Sequence, residues 1–320
     1  MSSTQLKLIA GGLLVLLLLW GASALLSRGP DSVRASLELR VPALADVDSI
    51  SIVKGQDTIA IARQSATDWT VNGHRATLAS VTELFQALRD TVRPELVAQD
   101  SSSFARLDVD SAGGRWLRLR RGGKPVLEVI VGTRPTDFQS AYLRRPGDAH
   151  VYLWRGRLGA LVERTVDDWR DKRIAGAAPD SIAAVDVVRG TDRYALTRTG
   201  KAWKVNGALA DSGAVARYLE RFKAITAAGF ATPEEADSLR TSRLRPARRP
   251  AARRLPTRRL EVRSTRQVLL SLAFDSTAGG FLVRHVAGAG GEGATVYRMN
   301  VWDVDGVTPP SRSLLPTNKK

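Results

Sequence analysis

Trp69-Thr70-Val71-Asn72-Gly73 and Trp203-Lys204-Val205-Asn206-Gly207 are one pentapeptide with a single exchange, set 134 positions apart. Each alternates as a strand does and closes on Asn-Gly, a pair that readily takes the positive φ of a tight hairpin turn. What flanks one flanks the other. Asp48-Ser49-Ile50-Ser51-Ile52-Val53, a turn at Gly55-Gln56-Asp57 and Thr58 to Arg63 read as a strand hairpin before the first copy. Val185-Asp186-Val187-Val188, Gly190 and Tyr194 to Arg198 repeat it before the second. Thr77 and Asp211 stand at matching places after the pentapeptides and predict helix N-caps. The first helix is expected to run to about Thr91, ahead of Pro94. Val81, Leu84, Phe85, Leu88 and Val92 form its apolar stripe, matched by Val215, Tyr218, Leu219, Phe222 and Ile225.

The second halves also correspond. Trp116 to Arg120, Val126 to Val131, Ala141 to Arg144 and Val151 to Trp154 read as strands, with a short helix over Leu158 to Arg164. Val268 to Phe274, Phe281 to Val286 and Thr295 to Met299 answer them. Phe281-Leu282-Val283-Arg284 echoes Ala141-Tyr142-Leu143-Arg144, and Tyr297 echoes Tyr152. The pattern predicts an α+β protein of two tandem repeats, each a mostly antiparallel sheet with a helix packed on one face, behind one N-terminal transmembrane helix. The expected boundaries are an anchor at 1–27, a tether at 28–46, a first repeat at 47–166, a joint at 167–179, a second repeat at 180–310 with an insertion at 240–266, and a tail at 311–320.

The anchor rests on Leu8 to Leu26, 19 residues without a charge. As a helix this length just spans a hydrocarbon core of roughly 30 Å. A cleaved signal peptide with Ala22-Ser23-Ala24 as its small-x-small site is the alternative. Retention is the reading here, because the apolar run continues through Leu25 and Leu26. Lys7 favours a cytoplasmic N-terminus, while Arg28, Arg34 and Arg40 oppose it. A short inner tail and a large exported domain is the arrangement expected. The chain has no cysteine, which excludes disulfides, thiolate metal sites and a cysteine nucleophile.

The net charge of +16 is unevenly spread. Arg240 to Arg266 holds 11 arginines and one acid, Glu261, and so supplies +10 of it. Pro246, Pro250 and Pro256 forbid one continuous helix there. The stretch reads as an inserted loop, and Arg245, Arg248, Arg249, Arg253, Arg254, Arg258 and Arg259 are the candidate contacts for anionic lipid or an acidic partner. A solvated loop is the bland alternative. Nucleic acid is not expected, because no aromatic residues interleave for base stacking.

The search for chemistry returns little. His74, His150 and His285 lack companions at metal-ligand spacing. Gly288 to Gly293 (GAGGEG) spells Gly-x-Gly-x-x-Gly, but between two strands, where a nucleotide site needs a following helix. Asp108/Asp110, Asp167/Asp168 and Asp303/Asp305 are acidic pairs without the further ligands of a calcium loop. No catalytic, cofactor or metal residue is predicted, no cofactor is expected, and the chain is read as not an enzyme.

The apolar N-terminus, the Trp-ending strand with its helix, and Asp100 to Asp108 (DSSSFARLD) resemble the bacterial family catalogued as domain of unknown function (DUF) 4340. The last is similar to that family's aromatic-Gly-Leu-Asp element, with Ala105-Arg106 departing from it before Leu107. Thr241 to Pro246 (TSRLRP) is a looser echo in the second repeat. The resemblance implies an extracytoplasmic, membrane-anchored protein associated with ABC-type or gliding-motility-like export systems. The expected function is therefore a non-enzymatic accessory or scaffold subunit at the bacterial inner membrane, holding an envelope or transporter protein. A ligand-binding protein using a groove between the repeats is the alternative, and an unrecognised hydrolase acting through Asp303 or Asp305 a third.

Overall fold

In the computed structural model, residues 37, 39–90, 94–132, 139–244, 258–286 and 295–316 are described, with backbone alone for 240–244. The predicted anchor, the glycine run at 287–294 and the middle of the arginine stretch, 245–257, lie outside them. Among the described residues no helix is long and apolar enough to cross a membrane. The chain is mostly antiparallel sheet with a few helices, and it divides into two units between Arg170 and Asp171.

The first unit grows from the hairpin of β1 (Ser49–Lys54) and β2 (Asp57–Arg63). Alternation puts Ile50, Ile52, Ile59 and Ile61 on one buried face. Next come β3 (Trp69–Val71) and β4 (His74–Ala76), joined by Asn72 and Gly73 at φ 45° and 81°. The Asn72 amide does more than tolerate the turn. Its Oδ1 accepts from the Ala60 amide at 2.7 Å and its Nδ2 donates to the Thr58 carbonyl at 3.0 Å. The side chain thereby continues the β3 ladder along β2 after the backbone has turned away. Helix α1 (Leu78–Arg89) follows, with the Thr77 hydroxyl accepting from the Ala79 amide. It buries Val81, Leu84, Phe85 and Leu88, side chains of this kind contributing about 1.5–3 kcal/mol each. It ends at Arg89 with Asp90 as its cap; the expected end at Thr91 and the stripe's Val92 lie outside the described residues.

The unit continues with β5 (Glu95–Ala98), β6 (Arg115–Arg121), β7 (Lys124–Val131), β8 (Ser140–Arg144) and β9 (Val151–Arg155). Short helices α2 (Leu158–Val162) and α3 (Val166–Trp169) end it. The nine strands form one antiparallel sheet in the order β4-β3-β2-β1-β6-β7-β8-β9-β5. The opposite face carries a second, smaller cluster of Leu107, Val109, Ile130 and Val151, covered by the loop after β5.

The second unit opens with β10 (Arg173–Ala175), then β11 (Ala184–Arg189), β12 (Asp192–Thr199), β13 (Ala202–Val205), β14 (Ala208–Leu209) and α4 (Ser212–Glu220). After these come β15 (Ile225–Thr226), β16 (Gly229–Phe230), α5 (Pro233–Leu244), β17 (Arg258–Arg263), β18 (Val268–Thr277), β19 (Gly280–His285), β20 (Tyr297–Met299) and α6 (Val301–Val307). Its large sheet runs β14-β13-β12-β11-β17-β18-β19-β20-β16, the first order repeated strand for strand. β10 and β15 pair separately. Asn206 and Gly207 sit at φ 48° and 90°, and the Asn206 amide bridges Ala195 and Arg193 just as Asn72 bridges its own pair. Asp211 caps α4 through the Ala214 amide at 2.6 Å.

Three expected boundaries move, while the division between Arg170 and Asp171 falls inside the expected joint. The tether is shorter than 28–46, because Leu37 is buried in the first core and Arg89 bonds the Pro42 carbonyl. The joint at 167–179 is structured: it holds most of α3, whose Trp169 is fully buried, and β10. Both ends of the expected 240–266 insertion belong to regular elements, since α5 continues to Leu244 and Arg258 already begins β17. Residues 311–316 are no loose tail. Leu314 is buried and its carbonyl accepts from the Asp211 amide.

Candidate contact surface on the second unit

Of the seven candidate arginines, Arg245, Arg248, Arg249, Arg253 and Arg254 lie outside the described residues. The other two open β17, and strand alternation sends them to opposite faces. Arg258 shares the core side with Leu260 and Val262. Its guanidinium meets the Asp305 carboxylate at 2.5 Å and the Thr308 hydroxyl at 3.1 Å, and lies 4.8 Å from the Phe281 ring centre. Only 11 % of that side chain is exposed, so Arg258 is an internal ion-pair partner and not a free surface contact. Arg259 faces the other way and is exposed. It lies opposite Val188 and Ala273, with Arg193 beyond the first and Arg284 beyond the second. Three arginines thus alternate with two apolar residues in a line across the sheet, about 10 Å apart. Arg284 is held by Asp275 at 3.4 Å, whereas Arg259 and Arg193 make no ion pair among the described residues.

Asp305 gathers a second guanidinium, Arg189, at 3.1 Å. It sits on α6, a helix absent from the sequence-based expectations. The stretch after α6 is tied down carbonyl by carbonyl. Tyr218 Oη donates to Val307 O at 2.9 Å, Arg189 to Thr308 O at 3.0 Å and Tyr194 Oη to Pro309 O at 2.7 Å. Burial pushes both phenols above their ordinary range. On this base α6 buries Val304 and Val307 and leaves Val301 46 % and Trp302 85 % exposed. Gly306 lets Arg221 lie against the helix, for a Cβ there would come within 2.8 Å of the guanidinium.

The remaining polar candidates have local work. Asp110 accepts from the Gly113 amide at 2.6 Å. Asp168 accepts from the Thr165 amide and hydroxyl at the start of α3, and Asp167 pairs with Arg170. Asp303 accepts from the Asn300 amide at 3.4 Å. His150 Nδ1 lies 2.7 Å from Asp148, and His285 Nε2 lies 2.9 Å from the Ile174 carbonyl. His74 is on the edge strand β4, where partial burial and then Arg170 lower its pKa. Among the described residues no three His, Asp or Glu side chains are grouped to hold a metal ion.

The DSSSFARLD segment forms the cover of the second cluster in the first unit. Asp100 caps its opening turn through the Ser102 amide at 3.0 Å, and Leu107 is buried. Arg144, only 8 % exposed, lies 4.1 Å from the Phe104 ring centre and donates to the Val109 carbonyl at 2.8 Å. Burial lowers its pKa, against the nearby Asp110 and Asp148. Of the TSRLRP echo, Thr241–Leu244 is the last turn of α5.

No curated protein and no solved structure matches the chain. One family model does, described as "Domain of unknown function (DUF4340)", over residues 69–245. That span is more than half of the chain, and it runs from the first Trp-x-Val-Asn-Gly hairpin through the second and on to the end of α5. The chain belongs to the DUF4340 family.

Proposed function

We propose that this protein is a non-enzymatic accessory or scaffold subunit of an envelope transport system, anchored by Leu8 to Leu26 with its bulk outside the cytoplasmic membrane. The observation that carries the reading is the doubled sheet with its polar side chains turned to structural ends. Of the acidic residues singled out from the sequence, Asp110 and Asp168 cap turns, and Asp167 and Asp305 neutralise arginines. Rigid sheet surface of this kind suits a scaffold, which supports the reading. The 19-residue uncharged run supports the anchor, and the five arginines at 245–254 support an acidic or anionic contact.

The test is mild-detergent purification of the full chain from its native membrane, beside a variant with Arg245, Arg248, Arg249, Arg253 and Arg254 changed to Gln. Reproducible recovery of integral subunits of a transporter, weakened in the variant, is the expected result. Recovery of the chain alone in both forms would overturn the reading. The flanking α5 and β17 stay intact in this variant, which removal of the whole 240–266 stretch would not allow.

A further inference from the structure

Trp302 is the most exposed large apolar side chain among the described residues, and its neighbour Val301 is half-exposed. A Trp in this state costs hydration free energy unless something covers it. Its surroundings say what kind of cover fits. On a helix, residues three and four apart share a face. Asp305 and Gly306 therefore sit one turn along from Trp302, and both are dressed in guanidinium. Arg189 and Arg258 share the one Asp305 carboxylate. Arg221 lies over Gly306, exposed and without an ion pair among the described residues. Arg258 is mostly buried and Arg189 is paired, so the exposed Arg221 is the cation that the fringe of the Trp302 knob offers; with the exposed Asp303 included, three guanidiniums stand against two carboxylates.

We infer that the Val301–Trp302 knob seats the second unit on an anionic bilayer surface. Trp302 enters the headgroup layer and the exposed Arg221 beside it meets a lipid phosphate. An indole suits that layer because its ring is apolar while its N–H still needs a partner. A protein partner is the weaker fit. A specific protein interface buries about 1,200–2,000 Å², and two neighbouring apolar side chains with a charged rim do not make the centre of one. A bilayer asks less of a chain already tethered to it, since tethering has removed most of the entropic cost of encounter. The base of the knob is also fixed in advance. The three carbonyls of Val307, Thr308 and Pro309 are each held by a side-chain donor, so little ordering is left for docking.

The inference rests on the anchored, extracytoplasmic reading above, and the experiment separates the two. The chain has no cysteine, so Val301→Cys can carry a single environment-sensitive fluorophore, with Leu209→Cys on the exposed edge strand β14 as control. Full-length protein is mixed with vesicles of phosphatidylcholine alone, or with equal parts phosphatidylglycerol, each containing a headgroup-region quencher lipid. In the anionic vesicles the label at 301 should be quenched several-fold more than the label at 209, and high salt should weaken it. Adding Trp302→Ala should lower the docked-to-free ratio by about tenfold, the worth of burying one large apolar side chain. Equal quenching at 301 and 209, or no response to Trp302→Ala, overturns the inference. Protection of 301 from labelling in native membranes, without lipid quenching, would assign the knob to a protein and also overturn it. The anchor is read separately, by flotation of the Trp302→Ala protein in high salt, where the knob contributes little.

Discussion

Asn72 and Asn206 show what a single side chain contributes here. Each occupies left-handed backbone, which an asparagine tolerates better than most residues. Each also uses both ends of its amide to extend a strand ladder. Asn72→Ala should therefore cost about 1–2 kcal/mol of unfolding free energy, from lost hydrogen bonds and added turn strain. Gly207→Ala, at φ 90°, should cost about 1 kcal/mol or more for the backbone alone. Urea denaturation of each variant checks both, and an unchanged midpoint would refute the account of the repeated pentapeptide. The buried phenols make a pH prediction. Tyr194 and Tyr218 hold their protons more tightly folded than unfolded. Their stabilisation is whole below the ordinary tyrosine pKa of about 10 and is lost as pH rises past it. Tyr218→Phe should cost about 1 kcal/mol near neutrality, through the lost bond to Val307, and flatten the alkaline decline. Denaturation midpoints at neutral pH and above pH ~10 measure it; an equally steep decline in the variant would contradict it.

At the scale of elements, the hairpins and the capped helices were legible because each carries its own local signal: alternation, Asn-Gly, a cap and a stripe. The misreadings have equally local causes. β17 has only Leu260 and Val262 as apolar core residues, and the arginines on either side of them, at 258, 259 and 263, mask the strand inside a charge run. Its counterpart β6 has the same two inward positions, Leu117 and Leu119, but Trp116 marks it as a strand. α5 was announced by Thr232-Pro233-Glu234-Glu235, where the Thr232 amide bonds the Glu235 carboxylate and the Glu235 amide the Thr232 hydroxyl. The arginines that follow obscure this box in the sequence. α6 has three valines and a glycine in seven residues, poor helix formers, and forms because the sheet and the Tyr218 and Asp305 contacts hold it. The candidate surface was invisible for the same reason. Two substitutions test these supports. Asp305→Ala leaves the mostly buried Arg258 without its carboxylate and should cost about 2 kcal/mol, less than a fully buried pair because Asp305 is itself 37 % exposed. In the first unit, a Cβ on Gly132 would stand 2.1 Å from the Leu107 carbonyl. Gly132→Ala should displace the Phe104–Asp110 cover and cost on the order of 3 kcal/mol. Thermal denaturation reads both variants, and wild-type midpoints would show that neither contact matters.

For the whole molecule, the repeated strand order makes duplication the simplest description of its construction. The two copies have since diverged on the side away from the main core. The first covers Ile130 and Val151 with the Phe104–Asp110 loop. At the corresponding point of its sequence the second has α5, followed by residues outside the described ones. Function is expected where the copies differ, because what they share is explained by the sheet itself. The arginine segment and the α6 knob both belong to the second unit, and the uses proposed for them suit a unit that works beside a membrane. The account accordingly stands on where the chain resides. The direct measurement is fractionation of the native cell, followed by access to a C-terminal epitope. We predict that the full-length chain stays with the inner membrane through a high-salt wash. Its epitope should become reachable once the outer barrier is opened, while the inner membrane is still sealed. A chain recovered in the soluble fraction, or an epitope reached only after the inner membrane is broken, would contradict the account.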